Sequence, residues 1–505
     1  MNYSPKSMHV WDTWCMPVGD TVHLYHLQRN RPGASVPEGR QDMLGHAVTT
    51  NLVDWQELPE AFGPDPANPL DDRQPWTGCA LWHEGRGYLY YTMRGSANDC
   101  RIQRIGLATS TDGHHWQRHA NNPVIVPDPR WYATDQRPVP QIVDCRDLIV
   151  VRNPKGGWLG FYATRRPADE LPQTSVIACV RSSDLIRWEH LSPAFAPDRY
   201  ACVEVPDVFE MDGLWYMTCL TGNFYGNRGA YSDPNVTNGT IYAVAERPEG
   251  PYREPSDSVL LGSRSTAGHF SARSVPLGGR RYMLYTDRER DNLADNGNAT
   301  CGTISTPKRL RADGGRLAAM YSPLIESRVT AESIGPKSPP RLVTEPLWGQ
   351  IWQMPTARWS MEGGLVTGQS HTGWGVAGLG VKAESFILEA TVTMQGAVAA
   401  GFAFRMSERM SGAVATLEAA GTVAYGDAPM FEYEERRLTP VPAGKPIHLR
   451  LVNRREHIEV FVEDELRLAI ARYRGIGGEV GLFVDRGRAT FADIRLRELR
   501  VDQPQ

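Results

Sequence analysis

A short aromatic strand segment recurs five times within the first 320 residues, and this repeat limits the possible folds more than any other feature of the chain. Successive copies lie roughly 55–70 residues apart, which is enough chain for one small antiparallel sheet. The copies read VHLYHL (22–27), GYLYYTM (87–93), GWLGFYAT (157–164), LWYMTCLT (214–221) and RYMLYTD (281–287).

A turn-forming segment that ends in an aromatic residue follows several of these copies in the same order. Asn, Asp and Gly favour turns, and the flanking residues alternate as strands do. Together the two signals predict an all-β architecture that begins with a five-bladed β-propeller over residues 1–322. An irregular β-sandwich with coincidental aromatic residues is the alternative. The turn segments read TTNLVDW (49–55), STDGHHW (110–116), SSDLIRW (182–188) and, more weakly, AERPEGPY (245–252).

The sequence changes in character after the last repeat. Residues 323–346 are rich in Pro, Ser and charged residues, which predicts a linker or a strap between domains. Beyond them, segments such as EHIEVFVED (456–464) alternate between two faces with a period of two residues. This pattern predicts a β-sandwich over residues 347–505, which is expected to be structural or to form a homodimer.

The overall composition excludes several classes of partner. The 505 residues carry a net charge of −4, so no electrostatic feature favours binding to nucleic acid or to an anionic membrane. No run of eighteen apolar residues predicts a membrane span. The N-terminal MNYSPKSMHV lacks the apolar core of a signal peptide, which favours a cytoplasmic protein over a secreted one. The eight cysteines are scattered without a C-x-x-C pair, which argues against a thiolate zinc site.

Three acidic residues occupy the same place in three of the repeats. Asp12, Asp147 and Glu204 each lie about 10–13 residues before an aromatic segment. This shared offset predicts equivalent inner strands, which converge on the central depression where propellers bind ligands. Converging carboxylates raise one another's pKa, and such an arrangement suits glycoside hydrolysis. The structural alternatives are a local ion pair between Arg146 and Asp147 and an edge-exposed Glu204.

An ordered set of segments is more specific than any of these signals alone. With this set the chain resembles glycoside hydrolase family 32, the invertase, levanase and inulinase group. The resemblance extends into the C-terminal sandwich through residues 449–470, and it implies no metal and no organic cofactor. The segments are LYHLQRN (24–30), MLGHAVTTNLVDWQELP (43–59), WTGCALW (76–82), CRDLIV (145–150), VEVPDVFEMDG (203–213), AGHFSARSV (267–275) and STPKRLRADGGRL (305–317).

The resemblance implies a role for each acidic residue. Asp12 would be the nucleophile, Glu204 the general acid/base, and Asp147 the transition-state stabiliser that binds sugar hydroxyls. The family retains configuration, so the carboxylates of Asp12 and Glu204 are expected about 5–5.5 Å apart. Arg146 would hold Glu204 or Asp147 by a charge-assisted hydrogen bond. The expected substrate-binding residues are Trp11, Trp14, Gln28, Trp76, Arg146, Asp207, His269 and Arg273.

The segment around Asp12 departs from the family pattern. The family has W-M-N-D-P-N-G, whereas this chain has VWDTWCM. Since all three carboxylates persist, the chemistry is expected to persist while the sugar can differ. The indole of Trp14 is expected to stack on the sugar, and His269 and Arg273 are expected to replace lost polar contacts. A structural histidine is the alternative for His269.

The expected function is exo-acting, retaining hydrolysis of terminal furanosyl units, fructosyl units first, from a small oligosaccharide or conjugate. Within the same enzyme class, the alternatives are a difructose-anhydride hydrolase, a fructosyltransferase and an arabinofuranosidase. From a different class, the alternative is a carbohydrate-binding propeller without catalytic activity.

Overall fold

The computed structural model describes residues 3–135, 143–167, 175–223, 227, 231–264, 269–343, 357–407, 412–427 and 432–500. Within these ranges the chain is nearly all β-structure with a few short 3-10 helices, which confirms the predicted fold class. No helix in this part of the chain has the length and apolar character that a membrane crossing requires.

Five successive groups of antiparallel strands occupy the described part of residues 3–322. The first group contains β1 (Met8–Val18), β2 (Thr21–Asn30), β3 (Leu44–Thr49) and β4 (Gln56–Phe62). The second contains β5 (Trp76–His83), β6 (Arg86–Met93), β7 (Arg104–Ser110) and β8 (Gln117–Arg118). The third contains β9 (Arg146–Arg152), β10 (Trp158–Arg165), β11 (Ser175–Ser182) and β12 (Glu189–His190). The fourth contains β13 (Glu204–Met211), β14 (Leu214–Gly222), β15 (Asn238–Ala245) and β16 (Val259–Ser263). The fifth contains β17 (His269–Leu277), β18 (Arg280–Arg290), β19 (Ala299–Ile304), β20 (Lys308–Asp313) and β21 (Arg316–Met320).

The first strands of these groups lie side by side in a closed ring. Each of β1, β5, β9 and β13 contacts the first strand of the next group, and β17 contacts β1 again. In addition, β19 pairs with β1 through Gly302 and Val10, which joins the end of the ring to its beginning. Apolar clusters fill the spaces between successive groups. This is the arrangement of a β-propeller, and the count of five blades stays the prediction made from the repeat.

The two recurring sequence signals correspond to fixed places in each group. The aromatic segments form the second strands, because their alternating residues pack between neighbouring sheets. The turn-forming segments follow the third strand, where a Thr or Ser hydroxyl accepts a local backbone hydrogen bond. The donors are the backbone N–H groups of Leu52 to Thr49 at 3.0 Å, Gly113 to Ser110 at 2.9 Å and Leu185 to Ser182 at 2.9 Å.

The C-terminal part of the chain forms the predicted β-sandwich. Its first strands are β23 (Arg358–Glu362), β24 (Leu365–Ala383), β25 (Ser385–Gln395), β26 (Ala399–Met406), β27 (Ala413–Glu418) and β28 (Thr422–Asp427). They are followed by β29 (Glu432–Leu438), β30 (Pro446–Arg454), β31 (His457–Val462), β32 (Glu465–Ala471) and β33 (Gly478–Leu499). The first half of β33 pairs with β26 and its second half with β25, so one long strand belongs to both sheets. A large apolar core lies between them.

Much of the segment predicted as a linker has regular structure. Residues Pro323–Arg328 form a 3-10 helix, and β22 (Val329–Ile334) pairs with the end of β33. Four of the five prolines of this segment lie after both short elements, so composition averaged over the whole segment hides them. Residues 344–356 contain the end of the predicted linker and the beginning of the predicted sandwich, and they lie outside the described residues.

The sandwich packs directly against the fourth and fifth strand groups. Phe461 of the sandwich shares an apolar cluster with Tyr285 and Leu317 of the propeller. Next to this cluster, the buried carboxylate of Glu459 lies 2.6 Å from Lys308 Nζ and accepts a hydrogen bond from the Tyr285 hydroxyl at 3.0 Å. Because burial removes water from both charges, each depends on the other for stabilisation.

We expect Glu459→Gln to destabilise the protein by about 3–5 kcal/mol, because Lys308 would keep a buried charge without this carboxylate. Glu332→Gln is the matched control, because Glu332 pairs with Arg495 at 2.7 Å and both side chains are well exposed. Exposed ion pairs contribute only about 0–1 kcal/mol. Urea unfolding followed by tryptophan fluorescence measures both effects, and equal midpoint shifts would contradict this assignment.

Candidate active site

A β-bulge occurs at the same place in each of the five first strands. There, two residues of the first strand lie opposite one residue of the second strand. Bulges interrupt the normal alternation of side chains and are common beside active sites. Together they define one level of the ring, which contains the candidate site. The bulged pairs are Trp11–Asp12, Thr77–Gly78, Asp147–Leu148, Val205–Pro206 and Ser271–Ala272.

Asp12 lies almost fully buried at this level. Its two carboxylate oxygens accept hydrogen bonds from the hydroxyls of Thr77 on β5 and Ser271 on β17. Burial raises the pKa of Asp12 to about 6, with a smaller rise from the charge of Glu204, although the two hydroxyls and Arg273 oppose this shift. The result is an oriented carboxylate from which most water is excluded, which is what a nucleophile in such a site requires.

Glu204 lies at the beginning of β13, directly before the fourth bulge, and its side chain is 13% exposed. Its Oε2 atom accepts hydrogen bonds from Arg146 Nη2 at 3.0 Å and Nε at 3.3 Å. Arg146 is buried and is held from another side by Asp144, whose Oδ1 lies 2.6 Å from Arg146 Nη1. Arg146 therefore fixes the orientation of the Glu204 carboxylate.

Asp147 is the first residue of the third bulge and has a φ of 62°. Its Oδ2 atom accepts a hydrogen bond from the Val205 N–H at 3.0 Å and lies 3.4 Å from Arg146 Nε. Its own N–H donates to the Thr92 hydroxyl at 3.2 Å. Burial raises the pKa of Asp147, the charge of Glu204 adds to the rise, and Arg146 opposes it. Val205 has a φ of 49°, which is costly for a β-branched residue, so its contact with Asp147 holds two strained bulges in place.

Arg273 connects three of the first strands. It belongs to β17 and donates hydrogen bonds to the Gly78 carbonyl on β5 and to the Asp147 carbonyl on β9, both at 3.0 Å. Its side chain is buried, so these donors face the protein. We predicted a substrate contact for this residue, whereas the structure gives it a positioning role: it fixes two bulges and places positive charge near Asp12.

The predicted tryptophans separate into a partly exposed pair and a core residue. Trp11 and Trp76 lie on neighbouring strands with ring centroids 6.4 Å apart, and the Arg94 guanidinium lies 3.6 Å from the centre of the Trp76 ring. Trp14 is only 2% exposed and packs in an apolar cluster with Tyr25. The prediction that Trp14 stacks on a sugar is therefore wrong. The bulge shifts the alternation of β1, and Trp14 falls on the side that faces the second group.

Of the remaining predicted site residues, two form hydrogen bonds with other protein groups, and the side chain of the third lies outside the described residues. The Gln28 amide donates to the Arg40 carbonyl at 2.8 Å, so its N–H group faces a loop of the first group. The buried Asp207 carboxylate accepts from the Ser274 N–H at 2.8 Å and hydroxyl at 2.5 Å, which ties β13 to β17. His269 begins β17, and its side chain lies outside the described residues.

Several residues that hold the site were not predicted from the sequence. Thr77 and Ser271 orient Asp12, and Asp144 orients Arg146. The sequence does contain a signal for a second set of supporting residues, because four of the aromatic segments end in or near a threonine. Their hydroxyls donate to backbone carbonyls at or just before the first strands: Thr92 to Thr77 at 2.7 Å, Thr164 to Asp144 at 2.8 Å, Thr221 to Cys202 at 2.7 Å and Thr286 to Trp11 at 2.8 Å.

Nearly half of the chain matches a known protein family. Residues 17–247 match the model described as the glycosyl hydrolases family 32 N-terminal domain. This range contains Asp147 and Glu204 and begins shortly after Asp12. Within residues 17–247 the chain carries the N-terminal domain of glycoside hydrolase family 32. This match accords with the sequence resemblance and with the level of bulges at which the three acidic residues lie.

Curated relatives match part of this chain. A fructan 1-exohydrolase from Hordeum vulgare is 28% identical over 172 residues, which are 33% of this chain and 26% of that protein. A sucrose-6-phosphate hydrolase from Zymomonas mobilis is 24% identical over 225 residues, which are 42% of this chain and 41% of that protein. The match to the Hordeum protein thus spans about a quarter of that relative's length.

Solved structures resemble the chain over nearly its whole length. Fructan 1-exohydrolase IIa from Cichorium intybus superposes with a TM-score of 0.67 and 16% identity, covering 99% of this chain and 98% of that one. Exo-inulinase from Aspergillus awamori superposes with a TM-score of 0.67 and 17% identity, covering 100% and 98%. These likenesses show a shared fold, with a β-propeller followed by a β-sandwich.

Proposed function

We propose that this chain is a retaining exo-glycosidase of the β-fructofuranosidase type, which releases terminal fructosyl units from small oligosaccharides. The main support for the proposal is that two carboxylates at the same level of the ring have different surroundings. Asp12 is desolvated and held by two hydroxyls, whereas Glu204 is more accessible and held by Arg146. Two carboxyl groups in unlike surroundings are what a nucleophile and a general acid require.

In the proposed mechanism, Asp12 attacks the anomeric carbon while protonated Glu204 gives its proton to the leaving glycosidic oxygen. The bond to that oxygen breaks, and a covalent fructosyl-enzyme forms on Asp12. Glu204, now ionised, accepts a proton from water, which attacks the same carbon and frees Asp12. Asp147 accepts hydrogen bonds from sugar hydroxyls, which move closer to it as the transition state forms. Arg146 keeps Glu204 oriented through both steps. The partly exposed Trp11 and Trp76 provide an apolar surface for the sugar.

The names of the relatives support a fructosyl substrate. They include fructan 1-exohydrolase and fructan 6-exohydrolase, and both names describe removal of terminal units from fructans. The Cichorium intybus structural neighbour is also solved in complex with 1-kestose. A small fructosyl oligosaccharide is therefore the substrate class that we propose for this chain.

Product analysis on a panel of saccharides tests the proposed function. The panel contains sucrose, short inulin and levan oligosaccharides, difructose anhydrides and aryl arabinofuranosides, each with the wild type and with Glu204→Gln. We expect fructose release that is lost in the variant. Release of arabinose alone would overturn the fructosyl substrate while keeping the mechanism. Sugar binding without any product would overturn the enzyme proposal and indicate a binding module.

The raised pKa of Asp12 predicts the acidic limb of the activity profile. Asp12 attacks only when ionised, so kcat/KM is expected to fall as pH falls through about 6. Thr77→Val removes a hydroxyl that stabilises the ionised form, which raises this pKa and moves the limb upward by about 1–2 pH units. Thr218→Val is the control, because the buried Thr218 hydroxyl has no hydrogen-bond partner among the described residues. Equal limbs in the wild type and Thr77→Val would contradict the prediction.

A further inference from the structure

Three histidines meet at the junction of the first and second strand groups. His23 lies near the beginning of β2, His46 lies on β3, and His114 lies in the turn between β7 and β8. One ring nitrogen from each lies within 4.8 Å of those of the other two. His23 Nδ1 and His46 Nε2 are 3.0 Å apart. Two nitrogens bound to one tetrahedral zinc ion are separated by about 3.3 Å, so this pair already has nearly the required spacing.

The surrounding residues hold the three rings in place. The Tyr25 ring stacks on His46 with centroids 4.7 Å apart, and its hydroxyl donates to the Gly113 carbonyl at 2.6 Å. Gly113 has a φ of 76° and lies against the His23 ring, where a side chain would be strained and crowded. The turn places the His114 ring with its centroid 5.3 Å from that of His23 and 5.2 Å from that of His46. Such supporting contacts orient the ligands of metal sites.

The chemistry of the cluster also suits a metal ion. Each histidine ring in its neutral form offers one nitrogen lone pair, which is the form of the side chain that binds zinc. Asp112 forms hydrogen bonds with the His115 ring at 2.7 Å and with two backbone N–H groups of the turn. His114 is exposed, so the cluster has an entry path from solvent.

We propose that His23, His46 and His114 together bind one zinc ion, with water as the fourth ligand. Three neutral imidazoles are a donor set that zinc accepts, and the exposed side of the cluster leaves room for water. We did not predict this site from the sequence, since its three ligands lie 23 to 91 residues apart along the chain.

The proposed zinc site lies apart from the three carboxylates of the candidate active site. Opposite His23 on β1 lies Met16, four residues beyond Asp12, which is about 13 Å of strand. A metal ion here would join two strands of the first group to a turn of the second. We therefore expect zinc to stabilise the contact between these two groups without taking part in the reaction at Asp12.

The test uses the full chain without a histidine tag, loaded with zinc chloride and dialysed against buffer without chelator. Metal content is measured by mass spectrometry, and the midpoint of thermal unfolding is measured with and without zinc. His114→Ala removes one ligand, and because His114 is exposed the variant is expected to fold. His115→Ala is the matched control, because His115 is the next residue of the same exposed turn and its ring binds Asp112.

We expect one equivalent of zinc in the wild type and in His115→Ala, and at least tenfold weaker binding in His114→Ala. Zinc is expected to raise the unfolding midpoint of the first two proteins by about 2–4 °C and to leave that of His114→Ala unchanged. Absence of retained zinc in the wild type would overturn the proposal and leave His23 and His46 as a hydrogen-bonded pair. Equal retention by the two variants would also overturn it, because it would indicate binding by scattered surface groups.

Discussion

Asp12→Asn is expected to lower kcat by about 10⁴-fold or more on every substrate that the wild type cleaves. The amide has no negative charge with which to attack the anomeric carbon, so no covalent fructosyl-enzyme can form. The change is nearly isosteric, and the amide oxygen still accepts one of the two hydrogen bonds from Thr77 and Ser271. The fold should therefore survive, while the first chemical step is lost.

Asp71→Asn provides the control for this prediction. Asp71 is as buried as Asp12 and also binds a hydroxyl, that of Tyr91 at 2.7 Å, together with Arg118 at 2.7 Å. Its hydrogen-bond partners Tyr91 and Arg118 lie on β6 and β8, and neither is one of the bulged residues of the first strands. We expect this variant to lose stability but to keep kcat within a few-fold of the wild type. A similar loss of kcat in both variants would show that the effect of Asp12→Asn is structural.

Initial rates and intact-protein mass spectrometry give complementary readouts for Asp12→Asn. With a slowly hydrolysed activated substrate, the wild type should gain the mass of one sugar residue, whereas the variant should not. A sugar adduct on the variant would place the nucleophile elsewhere. The readout does not depend on which natural saccharide the enzyme prefers.

The fold was predictable because its signals are local and repeated. The aromatic segments became the second strands, and the polar turn segments became the turns after the third strands, where hydroxyls of Thr49, Ser110 and Ser182 accept backbone hydrogen bonds. Each signal depends on residues within a few positions, so sequence alone contains the information. The common offset of Asp12, Asp147 and Glu204 from the aromatic segments predicted their place on the first strands for the same reason. Equal distances along the chain from equivalent strands give equivalent positions.

The details of the site depend on contacts between distant residues, which the sequence does not reveal. A bulge inverts the alternation of β1, so Trp14 enters the core while Trp11 stays partly exposed. Arg273 reaches carbonyls of two other strand groups, and Ser271 binds a residue 259 positions away. The histidine cluster could not be predicted for the same reason. No periodicity relates His23 to His114, and only the packing of one group on the next brings them together.

Glu204→Gln is expected to lower kcat/KM by about 10²–10⁴-fold for natural saccharides, whose leaving oxygen needs a proton. The effect on an aryl fructoside should be smaller for the first step, because a nitrophenolate leaves without protonation. The fructosyl-enzyme should then accumulate, since no base remains to activate water. Arg146 can still donate a hydrogen bond to the amide oxygen, so the variant should fold.

Azide distinguishes this role of Glu204 from a structural one. Azide attacks without needing a base, so it should restore turnover of Glu204→Gln on the aryl fructoside, yield fructosyl azide with retained configuration, and leave Asp12→Asn inactive. Glu210→Gln is the control, because Glu210 lies on the same strand, is exposed, and accepts a hydrogen bond from the Gly213 N–H at 2.9 Å. It should match the wild type on both substrates. Equal losses of Glu204→Gln on natural and aryl substrates, without azide rescue, would assign the acid/base to another residue, and the three acidic residues would then share only a binding role.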